Sequence, residues 1–397
     1  MNLRRYLDVL RAPGVARVVV FALLGRLPFG TLPLSMVLLM RHEHYPYGQI
    51  GAVVATEALA VGVTAVFMGR LVDQIGHARV LITAGTITSV AVCVQGAAMS
   101  AGASVGLLLA VAAIQGAAVP PISPSMRSLW QELVPAERLD TAYAFDSVAL
   151  ELAFIVGPLL AAGLATAWTP LAGMLLSAAF YIGAAVGFAT APASRAWRPA
   201  ESVERTRAGA LRSPGIRTLA LAAACAAIAF GALEVALTAF AEEEGSRAAV
   251  GPLITVWSIG SLVGGLVYGS RTWASPAPRR FLILSGLLVL GALPLPFAGS
   301  LLSMSAFLFG TGLALAPLGA TAFALVAALA PAGMATEAYS WHIVANVVGS
   351  SIGAFVAGLL VDHASVGWAL ASASIACGLA LLVGLAGRRT LSVPEAA

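Results

Sequence analysis

Runs of about twenty apolar residues, separated by short polar loops, occur along the whole chain. A helix of that length spans the hydrocarbon core of a bilayer, at about 1.5 Å per residue. Hydrophobic residues make up 59% of the 397 residues and charged residues only 10%, which is more apolar sequence than a soluble fold buries. A membrane β-barrel requires alternating segments of about ten residues, whereas these runs are continuous. The sequence therefore predicts an all-α protein in the lipid bilayer.

Twelve such runs are present, so we expect twelve transmembrane helices. A lead-in helix with Arg4, Arg5 and Arg11 precedes them, and the first run is too long for the core of a signal peptide. The predicted spans cover about 16–40, 48–69, 80–100, 104–127, 140–166, 169–191, 215–241, 248–270, 280–299, 302–328, 334–361 and 366–387.

All 22 basic residues are arginine. If both termini lie in the cytoplasm, every arginine except Arg26, Arg41 and Arg247 falls at a cytoplasmic end or loop, as the positive-inside rule requires. The Ala-, Gly- and Arg-rich composition is typical of a bacterial genome, so we predict a multi-pass protein of the bacterial inner (plasma) membrane.

The longest polar stretch, 192–214, predicts a cytoplasmic linker between two six-helix halves, 1–191 and 215–397. The halves share a faint repeat at an offset of 196 residues. It aligns Ala142-Tyr143 with Ala338-Tyr339, Gly157 with Gly353, and Gly69 with Gly265. Matches of this kind are common by chance in Ala- and Gly-rich sequences, so the repeat is only minor support for a duplication.

A polar hinge at 69–79 separates the second and third spans. Its two glycines permit a tight turn, and an aspartate between them suits a helix N-terminus or an arginine. The hinge resembles the loop of the major facilitator superfamily that reads Gly-x-Leu-Ala-Asp-Arg-x-Gly-Arg-Arg or Lys. The matching residues are Gly69, Leu71, Asp73 and Gly76, while Gln74, His77 and Ala78 replace the basic ones and Arg70 and Arg79 supply charge beside them.

This resemblance implies two pseudo-symmetric six-helix halves around a substrate site at the membrane midplane. It also implies a cytoplasmic gate, to which we assign Gly69, Arg70, Asp73, Gly76, Arg79 and Arg127. Within this gate we expect Asp73 to pair with Arg127, at the cytoplasmic end of the fourth span, and with the start of the eleventh span.

Charged side chains at membrane depth are costly unless they are paired or hydrated. Arg26 lies about 15 Å from the cytoplasmic end of the first span, and Glu57 about 18 Å from that of the second. They share a depth on adjacent helices, which predicts a pair. A structural ion pair and a role in substrate or proton binding are equally compatible with this placement.

The fifth span carries Asp146 and Glu151. Because burial favours the neutral form of a carboxyl, Glu151 near the midplane is the first candidate to carry a proton, Glu57 the second, and Asp146, nearer the cytoplasm, the third. Gly157-Pro158 resembles a degenerate form of the Gly-Pro-x-x-Gly-Gly motif of drug/proton antiporters. Close packing of small residues explains it equally well.

Four further polar residues are candidates to line a central cavity with Arg26: Gln115, Glu234, His342 and Asn346. Gln115-Gly116 resembles the antiporter pattern Arg-x-x-Gln-Gly, but Ala112 replaces the arginine, which weakens the case for proton antiport. For His342 and Asn346, hydrogen bonding between helices is the favoured alternative.

An enzyme is not indicated. Gly102 to Gly106 fits the nucleophile pattern Gly-x-Ser-x-Gly, but it lies in a short loop between spans, and that motif requires a strand-turn-helix. Neither metal-ligand spacing nor a phosphate loop is present, so no cofactor or metal is expected, and the net charge of +4 does not indicate nucleic acid.

The function predicted is secondary active transport of a small, amphipathic molecule by a monomer, with efflux and proton coupling favoured. Uptake of a sugar or other nutrient is the alternative; with only two asparagines, Asn2 and Asn346, the chain offers few amide groups for a sugar. A non-transporting membrane receptor on the same fold is a third possibility, disfavoured by the midplane carboxyls.

Overall fold

The computed structural model describes residues 4–198, 209–245 and 249–392, and within these ranges the chain contains helices and no strand. Short 3-10 helices occupy Gly209–Arg212 and Leu295–Phe297. The α-helices are α1 (Arg4–Leu10), α2 (Val15–Leu24), α3 (Pro28–His42), α4 (Tyr47–Ile75), α5 (His77–Ser100), α6 (Val105–Ala117), α7 (Ile122–Leu133), α8 (Ala136–Ala167), α9 (Pro170–Ala189), α10 (Pro192–Ala196), α11 (Pro214–Glu243), α12 (Val250–Gly269), α13 (Ala277–Ala292), α14 (Leu301–Leu329), α15 (Ala335–His363) and α16 (Val366–Ala386).

Within the part of the chain that the structure describes, twelve segments are long and apolar enough to cross a membrane, which confirms the predicted all-α bundle. The first span consists of α2 and α3, and the fourth of α6 and α7. The fourth breaks at Pro120-Pro121, where two rings remove two backbone donors. Beyond the break α7 runs on to Leu133. The predicted end of this span at residue 127 was therefore wrong, and Arg127 lies inside the span.

A single residue, Gly76, connects α4 to α5. It adopts φ +88°, a region that L residues rarely enter. A Cβ at this position would meet no atom within 4 Å. The backbone angle, and not a lack of space, explains why glycine stands here.

Glycines bring helices close together at equivalent places in both halves. A Cβ on Gly157 of α8 would lie 2.8 Å from the Gly30 Cα of α3. In the other half, a Cβ on Gly353 of α15 would lie 2.7 Å from the Ile228 carbonyl carbon of α11. Gly157 and Gly353 are partners in the 196-residue repeat, so the repeat has a structural counterpart. Close packing accounts for the glycine of Gly157-Pro158.

The two halves meet along α4 against α15, and along α8 against α12 and α14. We call the end of the bundle that carries the 69–79 hinge the loop end. Hydrogen bonds and ion pairs that join described residues of the two halves run from the loop end as far as Glu151 and Ser261. The bundle is therefore held closed at the loop end.

Candidate functional site

The carboxylate of Asp73, near the end of α4, binds the first turn of α15 in the opposite half. It accepts hydrogen bonds from the backbone N–H of Thr336 at 3.2 Å and of Glu337 at 2.9 Å. These donors have no partner within their own helix, and the positive end of the helix dipole attracts the carboxylate. Gly69 permits the approach, because a Cβ there would lie 2.9 Å from the Thr336 carbonyl oxygen.

A second contact beside it involves Glu337, which the sequence analysis did not single out. Its Oε1 lies 3.0 Å from Arg70 Nη2 of the first half and accepts the backbone N–H of Ala210 at 2.9 Å. One carboxylate thus joins both halves and the short helix Gly209–Arg212 that precedes α11. We call Asp73, Arg70, Glu337 and Ala210 the first latch. The rest of the predicted linker, residues 199–208, lies outside the described residues.

The predicted pair of Arg127 with Asp73 is not formed. Arg127 Nε instead donates to Asp146 Oδ2 at 2.8 Å. The expected position was wrong because α7 continues past residue 127 and carries the side chain into the bundle. Arg79, also assigned to the gate, is exposed at the start of α5 and forms no ion pair with a described residue.

The predicted pair of Arg26 with Glu57 is also wrong. Arg26 donates from Nη2 to Asp146 Oδ1, from Nη1 to the Asp146 carbonyl at 3.3 Å, and from Nε to Ser123 Oγ at 3.2 Å. Asp146 is therefore shared by two arginines from two other spans. Its side chain is 1% exposed, so its predicted position nearer the cytoplasm does not bring it into contact with water. We call Arg26, Asp146 and Arg127 the buried triad.

The triad contacts the second half through Arg127. Its guanidinium carbon lies 3.7 Å from the centroid of the Phe323 ring on α14, a cation–π contact. His342 of α15 packs edge-on against the same ring, with centroids 5.4 Å apart. Of the cavity candidates, Arg26 and His342 therefore belong to one cluster between the halves.

Glu57 lies within the first half, 8% exposed, beside Gln115, which is 0% exposed. The Gln115 Nε2 lies 3.9 Å from the sulfur of Met36. Glu57 has no ion-pair partner among the described residues. Gln115, a predicted cavity residue, is enclosed by the helices of its own half.

Glu151 connects the halves at the far limit of their contact. Its Oε1 accepts a hydrogen bond from the Ser261 hydroxyl of α12 at 2.9 Å, and it forms no ion pair with a described residue. It lies about 7 Å farther from the loop end than Asp146 on the same helix. Glu234 and Asn346 are exposed on α11 and α15, and the Asn346 amide donates to the His342 carbonyl at 2.8 Å.

A second latch, missed by the sequence analysis, closes the loop end beside α8. Arg280 of α13 binds Asp140 of α8 through both terminal nitrogens, at 2.6 and 3.1 Å, and donates to the Tyr268 hydroxyl at 2.6 Å. The Thr141 hydroxyl donates to the Gly269 carbonyl at 2.9 Å. The 196-residue offset aligns Asp140 with Thr336 and Gly269 with Asp73, so the α4–α15 and α8–α12 contacts are equivalent in the repeat. The first joins a carboxylate to backbone N–H groups, whereas the second joins a hydroxyl to a backbone carbonyl.

Asp140→Asn and Arg280→Gln should each lower stability by about 1–3 kcal/mol, because each removes a charge-assisted hydrogen bond from a largely buried arginine. The swap Asp140→Arg with Arg280→Asp should recover most of that loss. Thermal melts in detergent test this expectation. Arg138→Gln is the matched control, since Arg138 and Asp8 form an exposed pair at 3.9 Å. If the single variants melt at the parental temperature, the Asp140–Arg280 pair does not contribute to stability.

A family model described as Major Facilitator Superfamily matches residues 18–218, more than half of the chain. The chain belongs to this superfamily. It is therefore a multi-pass membrane transporter and not an enzyme. No curated protein matches the sequence.

Solved transporters share its fold. A bacterial homologue of the iron transporter ferroportin, in an outward-facing state, superposes with a TM-score of 0.79 at 16% identity, covering 94% of this chain and 98% of that one. The human organic anion transporter MFSD10 (TETRAN) gives 0.70 at 19% identity, covering 96% and 100%. The proton:xylose symporter XylE, bound to 6-bromo-6-deoxy-D-glucose, gives 0.72 at 14% identity, covering 92% and 94%. At these identities the likeness shows the fold alone.

Proposed function

We propose that this superfamily member is a secondary active transporter that exports a small amphipathic molecule by alternating access, driven by protons. The observation that carries the proposal is the closure of one end of the bundle by two latches, with a carboxyl, Glu151, at the inner limit of the contact between the halves. Breaking polar latches lets the halves rock about a central site.

The arginine distribution supports a cytoplasmic location for the loop end, with both termini on that side of a bacterial inner membrane. On this assignment the two latches form the cytoplasmic gate. The domain boundaries at 191 and 215 follow from the same proposal, because α10 and Gly209–Arg212 lie between the last span of one half and the first of the other.

Glu151 is the proposed proton carrier. Its described partner is a single hydroxyl, whereas Asp146 is held by two arginines. Glu57 remains the second candidate: it has no cation beside it among the described residues, but it lies inside one half and not at the contact between the halves. Asp146 is the weakest candidate because its carboxylate is committed to the buried triad.

Export of an amphipathic compound is supported by the resemblance of Gly157-Pro158 to the antiporter motif. Uptake of a sugar or nutrient is the alternative, and a proton:xylose symporter is among the transporters that share this fold. Counterflow of candidate compounds in proteoliposomes, with and without a pH gradient, tests the proposal. Transport of no compound under any gradient would favour the receptor alternative.

Asp73→Asn should slow transport without loss of folded protein. The neutral amide binds the two N–H groups of α15 less strongly than the carboxylate. The closed state then loses about 1–3 kcal/mol relative to the state open at the loop end. Initial rates in proteoliposomes measure the effect, and Gln74→Ala, at an exposed neighbour in α4, is the control. If Asp73→Asn transports at the parental rate, the first latch is not part of the gate.

A further inference from the structure

The buried triad contains two cations and one anion. Both arginine side chains and the Asp146 carboxyl are at most 4% exposed, and the carboxylate is the ion-pair partner of both arginines among the described residues. The cluster therefore holds one positive charge that no described carboxylate balances. A buried, uncompensated charge is costly, so a site of this kind favours a ligand of the opposite sign.

The unbalanced charge lies on Arg127. All three nitrogens of Arg26 donate hydrogen bonds, two to Asp146 and one to Ser123. Arg127 donates only from Nε, and its two terminal nitrogens bind no described residue. Unlike Nε of Arg280, those two nitrogens are not sealed inside the protein. They form a planar fork of N–H donors, the geometry that binds a carboxylate or another oxyanion through two bonds.

The surroundings hold the fork in place at the contact between the halves. The Asp146 carboxylate fixes one edge of the guanidinium, and the Phe323 ring from the other half covers its face at 3.7 Å. The Phe323 ring and His342 beside it offer apolar and aromatic surface next to the donors. An anionic head with an apolar body fits this arrangement better than a neutral sugar or a cation does.

We infer that the transported molecule is an amphipathic organic anion whose carboxylate, sulfonate or phosphate binds the free N–H groups of Arg127. This inference rests on the proposed transport function and names its substrate class. Arg26 then serves as a positioning residue, which holds Asp146 so that Asp146 holds Arg127.

Binding to the purified full-length protein in a neutral detergent tests the inference without any gradient. Isothermal titration compares matched pairs: 2-naphthoate with 2-naphthamide, naphthalene-2-sulfonate with its sulfonamide, and decanoate with decanamide. We expect at least one anion to bind about tenfold to a hundredfold more tightly than its neutral partner, as a charge-assisted bond would give. Arg127→Gln should abolish the preference and Arg127→Lys, which keeps the charge but loses the fork, should reduce it.

Arg17→Gln is the matched control, because Arg17 is exposed and bonds the Thr190 hydroxyl within the first half; it should bind like the parent. No preference for any anion, or a preference that persists in Arg127→Gln, overturns the inference. If Arg127→Gln fails to fold, the anion preference of the parent and its reduction in Arg127→Lys still test the inference. Binding of chloride or inorganic phosphate alone would assign the fork to a small ion and also overturn it. Anion preference without proton-driven transport would instead contradict the proposed coupling and leave the inference standing.

Discussion

Glu151→Gln is expected to abolish transport driven by a pH gradient while substrate exchange without a gradient continues. Glutamine has the shape of a protonated glutamate and still accepts the Ser261 hydroxyl bond, so the contact between α8 and α12 survives. A carboxyl taken out of water binds a proton more readily, and it releases the proton when water returns as the halves separate. The amide cannot complete that cycle. Exchange needs no net proton movement, so it tolerates the change.

Proteoliposome assays with an imposed pH gradient and equilibrium exchange assays measure the two activities separately. Glu137→Gln is the control, because Glu137 is an exposed carboxyl in the first turn of α8, the same helix, and makes no described ion pair. Glu57→Gln asks whether the second candidate carries the proton instead. Gradient-driven transport that persists in Glu151→Gln would place the proton site elsewhere or show that transport is not proton-coupled.

The twelve spans were predictable because the length of an apolar run and the thickness of a bilayer determine them directly. The partners of the buried charges were not. Counting 1.5 Å per residue places Arg26 and Glu57 at one depth, but depth says nothing about the direction of a side chain around its helix axis. Arg26 lies at the break between α2 and α3 and points toward Asp146. The missed extension of α7 misplaced Arg127 for a related reason: Pro120-Pro121 interrupts the span without ending it.

The second latch shows which contacts the repeat could predict and which it could not. The 196-residue offset aligns the start of α8 with the start of α15, so a contact at the start of α8 could have been predicted from the sequence. However, α4 supplies an acid where α12 supplies the Gly269 carbonyl, and the charge pair comes from Asp140 and Arg280. Equivalent helices meet in the two contacts, but the aligned residues differ in type. The repeat is clearest where the tyrosines meet: the aligned Tyr143 and Tyr339 hydroxyls are 2.9 Å apart.

Asp146→Asn is expected to be the most destabilising change in the buried triad. It leaves Arg26 and Arg127 without their shared carboxylate, and an uncompensated buried charge costs about 3–5 kcal/mol. Arg26→Met should cost less, about 1–3 kcal/mol, because Asp146 and Arg127 remain as a pair. The order of the two variants follows from the sharing of one carboxylate by two arginines.

Apparent melting temperatures in detergent rank the variants, and Asp8→Asn, from the exposed pair with Arg138, is the control for loss of an aspartate. Combining Arg26→Met with Asp146→Asn should melt above Asp146→Asn alone, because one of the two stranded cations is then removed. The Arg127 side chain retains some accessible surface. The double variant therefore leaves one partly accessible cation unpaired, which costs less than the two unpaired cations in Asp146→Asn. Equal melting of Asp146→Asn and Arg26→Met would mean that Asp146 does not balance both arginines, and the charge count behind the anion site would fail with it.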